Sequence, residues 1–112
     1  MIEVKIDRPY EPAHRATEGH FAAHPIIPGV VILADVMRAI RDHFAAEDIA
    51  SGHACTIRAA KFLRPVLPGQ TMTIRLKIAA STATPDTRKQ AVSFECSVAE
   101  TVVAKGALDF YG

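Results

Sequence analysis

One segment of this chain has the periodicity of a helix, and its other regular segments alternate like strands. From residue 30 to residue 44, apolar side chains recur at three- and four-residue steps, which predicts an amphipathic helix at about 30–46. Its first half, residues 30–34, is apolar on every side, so we expect this end to be buried all round. A single helix among strands has to bury that surface against a sheet.

Five further segments have strand patterns, at residues 2–6, 53–64, 71–80, 90–99 and 102–110. The order along the chain is therefore strand, loop, helix and then four strands. We predict an α+β fold in which an antiparallel sheet of about five strands wraps around one central helix. The 112 residues are enough for one domain, spanning 1–112, and too few for two.

Composition and charge exclude several classes of protein. The chain is 49% hydrophobic and 22% charged, so it can form a core. Its 13 basic and 12 acidic residues nearly cancel, which argues against binding nucleic acid through bulk positive charge. No segment approaches the ~20 apolar residues of a membrane helix. Cys55 and Cys96 lack metal-ligand spacing, so we expect buried free thiols, no metal and a cytoplasmic protein.

Residues 7–29 form a loop rich in proline and histidine, and its last part combines groups that suit chemistry beside a carbonyl. Four prolines exclude a continuous helix here. His20 can accept and return a proton near neutral pH, and the first N–H groups of the following helix have no partners within the helix. Gly29 lets a ligand approach that backbone closely. These features favour proton abstraction or acyl transfer, in which negative charge develops on a carbonyl oxygen.

Two segments resemble the signatures of the 3-hydroxyacyl-[acyl-carrier-protein] dehydratases. Residues 20–30 resemble the family's His-Phe…Pro…Pro-Gly-Val motif, and residues 60–70 resemble its strand ending in Arg-Pro-Val-x-Pro-Gly. The resemblance implies the hot-dog fold and an enzyme that eliminates water from a 3-hydroxyacyl thioester to give the trans-2-enoyl thioester. The substrate would be carried by acyl carrier protein, in fatty acid or polyene-type lipid synthesis, and we expect no cofactor.

The resemblance also implies roles for individual residues. His20 matches the family's base, and Gly29 matches the glycine whose N–H polarises the thioester carbonyl, with Val30 and Phe21 beside the substrate. In this family the acid comes from the central helix of a partner subunit. This chain has Ala34 at that position, and the nearest carboxylate is Asp35. Asp35 either reaches the site by a local adjustment or forms an ordinary surface ion pair with Arg38.

The departure at Ala34 leaves other functions open. The chain could be a weak or inactive acyl-binding or carrier-binding subunit that pairs with an active hot-dog partner, in a heterodimer rather than a homodimer. It could also be a hot-dog thioesterase, which would need a carboxylate to activate water. Four cations are candidates for the contact with acidic carrier protein: Arg38, Arg58, Lys61, Arg64.

Overall fold

The structure is a computed structural model, and it describes residues 2–12, 26–46, 55–79 and 89–111. One helix and five strands lie in these ranges. In chain order they are β1 (Ile2–Pro9), α1 (Gly29–Ala46), β2 (Cys55–Phe62), β3 (Thr71–Ile78), β4 (Lys89–Val98) and β5 (Thr101–Tyr111). No helix within the described residues has the length and apolarity needed to cross a bilayer.

The five strands form one antiparallel sheet in the order β1-β3-β4-β5-β2. Both β1 and β2 are therefore edge strands. The helix α1 packs across one face of the sheet, as the prediction of a single amphipathic helix among strands requires. The expected α+β architecture and the hot-dog fold are both confirmed.

The core lies between α1 and the inner face of the sheet. The helix presents a buried face with four-residue and three-residue spacing, made of Ile32, Val36, Ala39, Ile40 and Phe44. Alternate residues of the central strands meet it: Met72, Ile74, Leu76, Ile78, Val92, Phe94, Cys96, Ala104, Leu108 and Phe110. The rings of Phe44 and Phe110 pack edge to face at 5.6 Å. This alternation is the one that the sequence shows, because successive strand side chains point to opposite faces.

The start of the helix differs from the expectation. Val30 is 77% exposed and Ala34 is also exposed, so the prediction that this end is buried all round is wrong for the single chain. The sheet covers only one side of α1, and Val30 and Ala34 on the other side are left exposed. Such a surface is expected where a second chain packs.

The β4–β5 turn is a tight two-residue connection whose residues are not typical of such a turn. Ala99 and Glu100 both have positive φ, 48° and 69°. Two positive φ values give the twist that a two-residue hairpin needs, and the position usually holds asparagine and glycine. We infer that the pairing of β4 with β5 stabilises this turn, because its own residues do not favour positive φ.

Candidate functional site

The start of α1 is anchored on both sides by backbone hydrogen bonds. The Ile27 N–H donates to the Val66 carbonyl at 2.7 Å, and both side chains are buried. The Pro28 carbonyl accepts from the N–H groups of Val31 and Ile32, which begins the helix. This arrangement joins the loop before the helix to the segment after β2. The two sequence signatures thus meet in the fold.

Within the part of the chain that the structure describes, the first N–H groups of α1 have no partner. Among the described residues, neither Gly29 nor Val30 has an acceptor for its N–H. The first turn of a helix leaves such groups unpaired and carries the positive end of the helix dipole. A carbonyl oxygen that gains negative charge is stabilised by donors placed in this way.

Gly29 lies against the ring of Phe62, and an apolar depression of about 320 Å³ opens beside it. A Cβ on Gly29 would stand only 3.1 Å from ring atoms of Phe62, so the ring leaves room for glycine and crowds any larger residue. The depression is lined by Ile26, Ile27, Gly29, Ile32, Phe62, Leu63, Arg64, Pro65 and Val66. Its walls suit an acyl chain, with the helix N–H groups at one end.

The predicted site residues fall into two groups. Gly29 and Val30 lie at the start of α1, where Gly29 lines this depression and Val30 is exposed without lining it. His20 and Phe21 lie outside the described residues, so the predicted base remains a prediction.

Asp35 is held by two residues of the β1 segment. The Tyr10 hydroxyl donates a hydrogen bond of 2.7 Å to Asp35 Oδ2, and Arg8 Nε lies 3.4 Å from the same oxygen. The Arg8 guanidinium also stacks over the Tyr10 ring, 4.9 Å from its centroid. The expected partner Arg38 has no ion pair with Asp35 in the described part of the chain. Burial and the hydrogen bond to Asp35 raise the pKa of Tyr10.

Asp35 and Gly29 face different spaces within one chain. Asp35 lines a separate depression of about 360 Å³ with Arg8, Arg38 and Asp42. Asp35 lies six positions after Gly29 on the helix, a rise of about 9 Å along the axis. Ala34, one residue earlier, points out from the helix and is exposed. The position where the resemblance expects an acid is therefore exposed, whereas the neighbouring carboxylate of Asp35 is engaged by Tyr10 and Arg8.

Sequence reasoning missed Tyr10 and Arg8 as neighbours of Asp35. Tyr10 is buried although it follows a strand in a proline-rich segment, and its N–H donates to the Gln70 carbonyl. The sequence signal that could have identified Tyr10 is an aromatic side chain isolated among polar residues and prolines. Its partner 25 residues away could not be identified without the register of β1 on β3.

The candidate cations for a carrier protein do not form one cluster. Arg64 lines the depression at Gly29, and Arg38 lies beside Asp35. Arg58 pairs with the buried Asp109 at 3.1 Å. Lys61 lines a third depression on the opposite face of the sheet. Within the described residues, Arg64 is the candidate that stands at the Gly29 depression.

Comparisons with known proteins agree with this geometry. A family model described as ApeI-like, ApeI dehydratase, matches residues 2–107. The 3-hydroxyacyl-[acyl-carrier-protein] dehydratase FabZ of Ehrlichia chaffeensis is 32% identical over 93 residues, which cover 80% of this chain and 61% of that protein. The chain thus spans about three-fifths of the length of this curated relative.

Solved structures with the same fold include both dehydratases and thioesterases. A chain of the dehydratase heterocomplex ApeI:P from Xenorhabdus doucetiae superposes with a TM-score of 0.70 at 22% identity, over 98% of this chain and 88% of that one. A 1,4-dihydroxy-2-naphthoyl-CoA thioesterase from Synechocystis has a TM-score of 0.66 at 15% identity, over 98% and 80%. At these identities the likeness concerns the fold alone.

Proposed function

We propose that this chain, which belongs to the ApeI-like dehydratase family, removes water from a 3-hydroxyacyl thioester carried by acyl carrier protein. The observation that supports this most directly is the start of α1. There Gly29, whose N–H has no acceptor among the described residues, lines an apolar depression that can hold an acyl chain. The product is the trans-2-enoyl thioester.

The elimination needs a base, a hydrogen-bond donor for the thioester oxygen and an acid for the departing hydroxyl. His20 takes the proton from C2, while the thioester oxygen accepts a hydrogen bond from the Gly29 N–H and its growing negative charge is stabilised. The electron pair of the broken C–H bond forms the C2–C3 double bond. The C3–O bond breaks, and the hydroxyl leaves with one proton as water. No oxidant or reductant is required.

The proton for the departing hydroxyl comes, in this proposal, from a second hot-dog subunit. Asp35 of the same chain is bound to Tyr10 and Arg8 and lines a different depression from Gly29. Ala34 is exposed on the side of the helix where a second chain would pack. A general acid typically contributes about 10²–10⁴-fold in rate, so a pair of identical chains would be a slow enzyme.

The second candidate function is an accessory subunit that binds the acyl carrier protein and pairs with an active hot-dog partner. Ala34 at the acid position and the engaged carboxylate of Asp35 are the observations that favour it. A different partner chain that carries a carboxylate would then complete the site.

The test is turnover of a 3-hydroxyacyl thioester on acyl carrier protein, followed by ultraviolet absorbance of the enoyl product and by a thiol assay. We expect enoyl formation that His20→Ala reduces by at least about 10²-fold, since a base is lost. The matched control His14→Ala, in the same segment, is expected to retain activity. Carrier binding without turnover would support the accessory subunit instead, and release of free thiol would support a thioesterase.

A further inference from the structure

The face of the sheet that points away from α1 carries one continuous row of charged side chains. The strand register places five exposed residues opposite one another from edge to edge: Lys5, Arg75, Glu95, Lys105 and Lys61. We call these five residues the outer row. It contains four cations and one carboxylate, on a chain whose formal net charge is only +1.

The outer row contains two pairs of like charges in direct opposition. Lys5 faces Arg75 on the adjacent strand, and Lys61 faces Lys105. Like charges directly opposite each other destabilise a sheet, whereas alternating signs would stabilise it. Glu95 faces Arg75 and Lys105 and offsets part of this cost, but the pairs at both edges of the sheet keep their repulsion. An anionic partner would remove this repulsion.

Three of the four cations of the outer row stand around a depression of about 400 Å³. Lys61, Arg75 and Lys105 line it together with Lys77, over a floor that includes the small residues Ala59, Ser93 and Gly106. Lys77 is next to Glu3, at 4.0 Å, and Arg75 donates a hydrogen bond to Ser97. None of the three lysines of the row has an ion pair with a described residue.

We propose that the outer row binds an acidic helix of a partner protein, lying across the five strands. Neighbouring strands are ~4.8 Å apart, so the row is about 19 Å long. Residues three or four apart on a helix are about 5–6 Å apart, a similar spacing. A helix that fits the outer row has acidic residues about 19 Å apart, one group opposite each cation pair. Between them it has a neutral or basic residue opposite Glu95.

The neighbouring charges favour a linear partner over a flat anionic surface. Glu3 and Asp7 lie on β1 two residues to either side of Lys5, and both point to the same outer face. A membrane surface would approach these carboxylates together with the row. A helix that follows the row contacts the cations and passes between Glu3 and Asp7.

The experiment uses fluorescence anisotropy with a labelled helical peptide of alanine and glutamine carrying two pairs of glutamates in this spacing. A peptide of the same composition with its glutamates spread around the helix is the probe control. We expect the matched peptide to bind more tightly, and to weaken with rising salt because the pairs are exposed. Equal binding of the two peptides would contradict the proposal, as would preferential binding of the protein to phosphatidylglycerol vesicles.

The informative variant is Lys5→Glu combined with Lys61→Glu, because its row alternates in sign from edge to edge. We expect peptide binding to fall about tenfold or more, while the thermal unfolding midpoint stays equal or rises. A matched pair of single variants is Lys61→Glu and Arg41→Glu on α1, which change the net charge equally, and Arg41→Glu should lose little binding. Similar losses in both variants would assign the effect to net charge and overturn the proposal. Lys61→Gln is a milder variant that is expected to lose part of the binding without affecting folding.

Discussion

At the scale of single residues, the contacts of the Asp35 carboxylate limit the part that it can take in the proposed reaction. Its oxygen Oδ2 is bound by the Tyr10 hydroxyl and lies beside the Arg8 guanidinium. A carboxylate held in this way joins the helix to the end of β1. We infer that Asp35 stabilises the fold in the free chain.

Tyr10→Phe tests that structural role. The change removes a hydrogen bond between a buried hydroxyl and a charged acceptor, so we expect a loss of about 1.5–3 kcal/mol in the free energy of unfolding. Chemical denaturation with urea measures it. The control is Thr73→Val, which removes the exposed 3.0 Å hydrogen bond to Asp7 and should cost far less. If Tyr10→Phe left stability unchanged, Asp35 would be free to act elsewhere.

The same tyrosine predicts a pH dependence. Burial and Asp35 raise the pKa of Tyr10 above its ordinary 10.0. The stability that depends on its neutral form is then fully present below pH 10 and is lost as the pH rises above that value toward the folded-state pKa, by about 1.4 kcal/mol per pH unit. Burial also raises the pKa of Cys96, to about 12, which adds to the loss. We expect Tyr10→Phe to have a shallower decline in alkaline buffer, measured by denaturation over a pH series, and an unchanged slope would contradict this assignment.

At the scale of elements, the two edge strands have different surroundings. In β1, Val4 and Ile6 pack against the core, whereas seven of the eight residues of β2 are exposed. An edge strand with exposed apolar side chains offers unpaired backbone groups to another chain. The exposed start of α1 and Phe62 at the end of β2 belong to the same side of the molecule. We infer that β2 and the start of α1 form the surface that meets a second subunit.

Ile57→Lys tests this surface with Ile2→Lys as its control. The two isoleucines lie on opposite edge strands and are almost equally exposed, at 47% and 45%. Placing a lysine in an interface buries a charge, so we expect Ile57→Lys to weaken association of the chains by about tenfold or more. Sedimentation equilibrium measures it. Association that responds equally to both variants would place the interface elsewhere.

At the scale of the whole molecule, the proposed reaction requires a site that two chains complete. In that proposal Gly29 supplies its N–H from one chain, and the acid comes from a second chain that packs near the exposed Ala34. One chain alone brings no free carboxylate to Gly29 among the described residues. Activity is therefore expected to depend on what the second chain carries at that position.

A mixing experiment separates the contributions of the two chains. A chain with both His20→Ala and Ala34→Glu should be inactive alone, because it has no base. Mixed with the wild-type chain, it should form hybrid pairs in which the wild-type His20 faces the introduced carboxylate. We expect turnover to rise above that of the wild type alone, toward the ~10²-fold that a general acid contributes. The control is His20→Ala without the second change, and an equal result from both would mean that residue 34 does not face the partner's site.

Much of the fold could be predicted because it follows from local patterns. The helix at about 30–46 and the five strands come from periodicities of 3.6 and 2, which read directly as faces of a helix or a sheet. Met72 to Ile78 and Val92 to Cys96 alternate in burial as their sequence alternates in polarity. The proposed role of Gly29 also rests partly on local grounds, since Gly29 begins a helix after a proline.

The remaining features required the tertiary structure because they join residues distant along the chain. The hydrogen-bond partner of Asp35 is Tyr10, which the pairing of β1 brings to the helix. Arg38 lines the same depression as Asp35 and has no ion pair with it among the described residues. The outer row joins residues of all five strands, and no window of sequence contains it. Patterns along the chain determine which side chains share a face. Pairing between strands determines which of them meet, because it depends on the order β1-β3-β4-β5-β2 and not on distance in sequence.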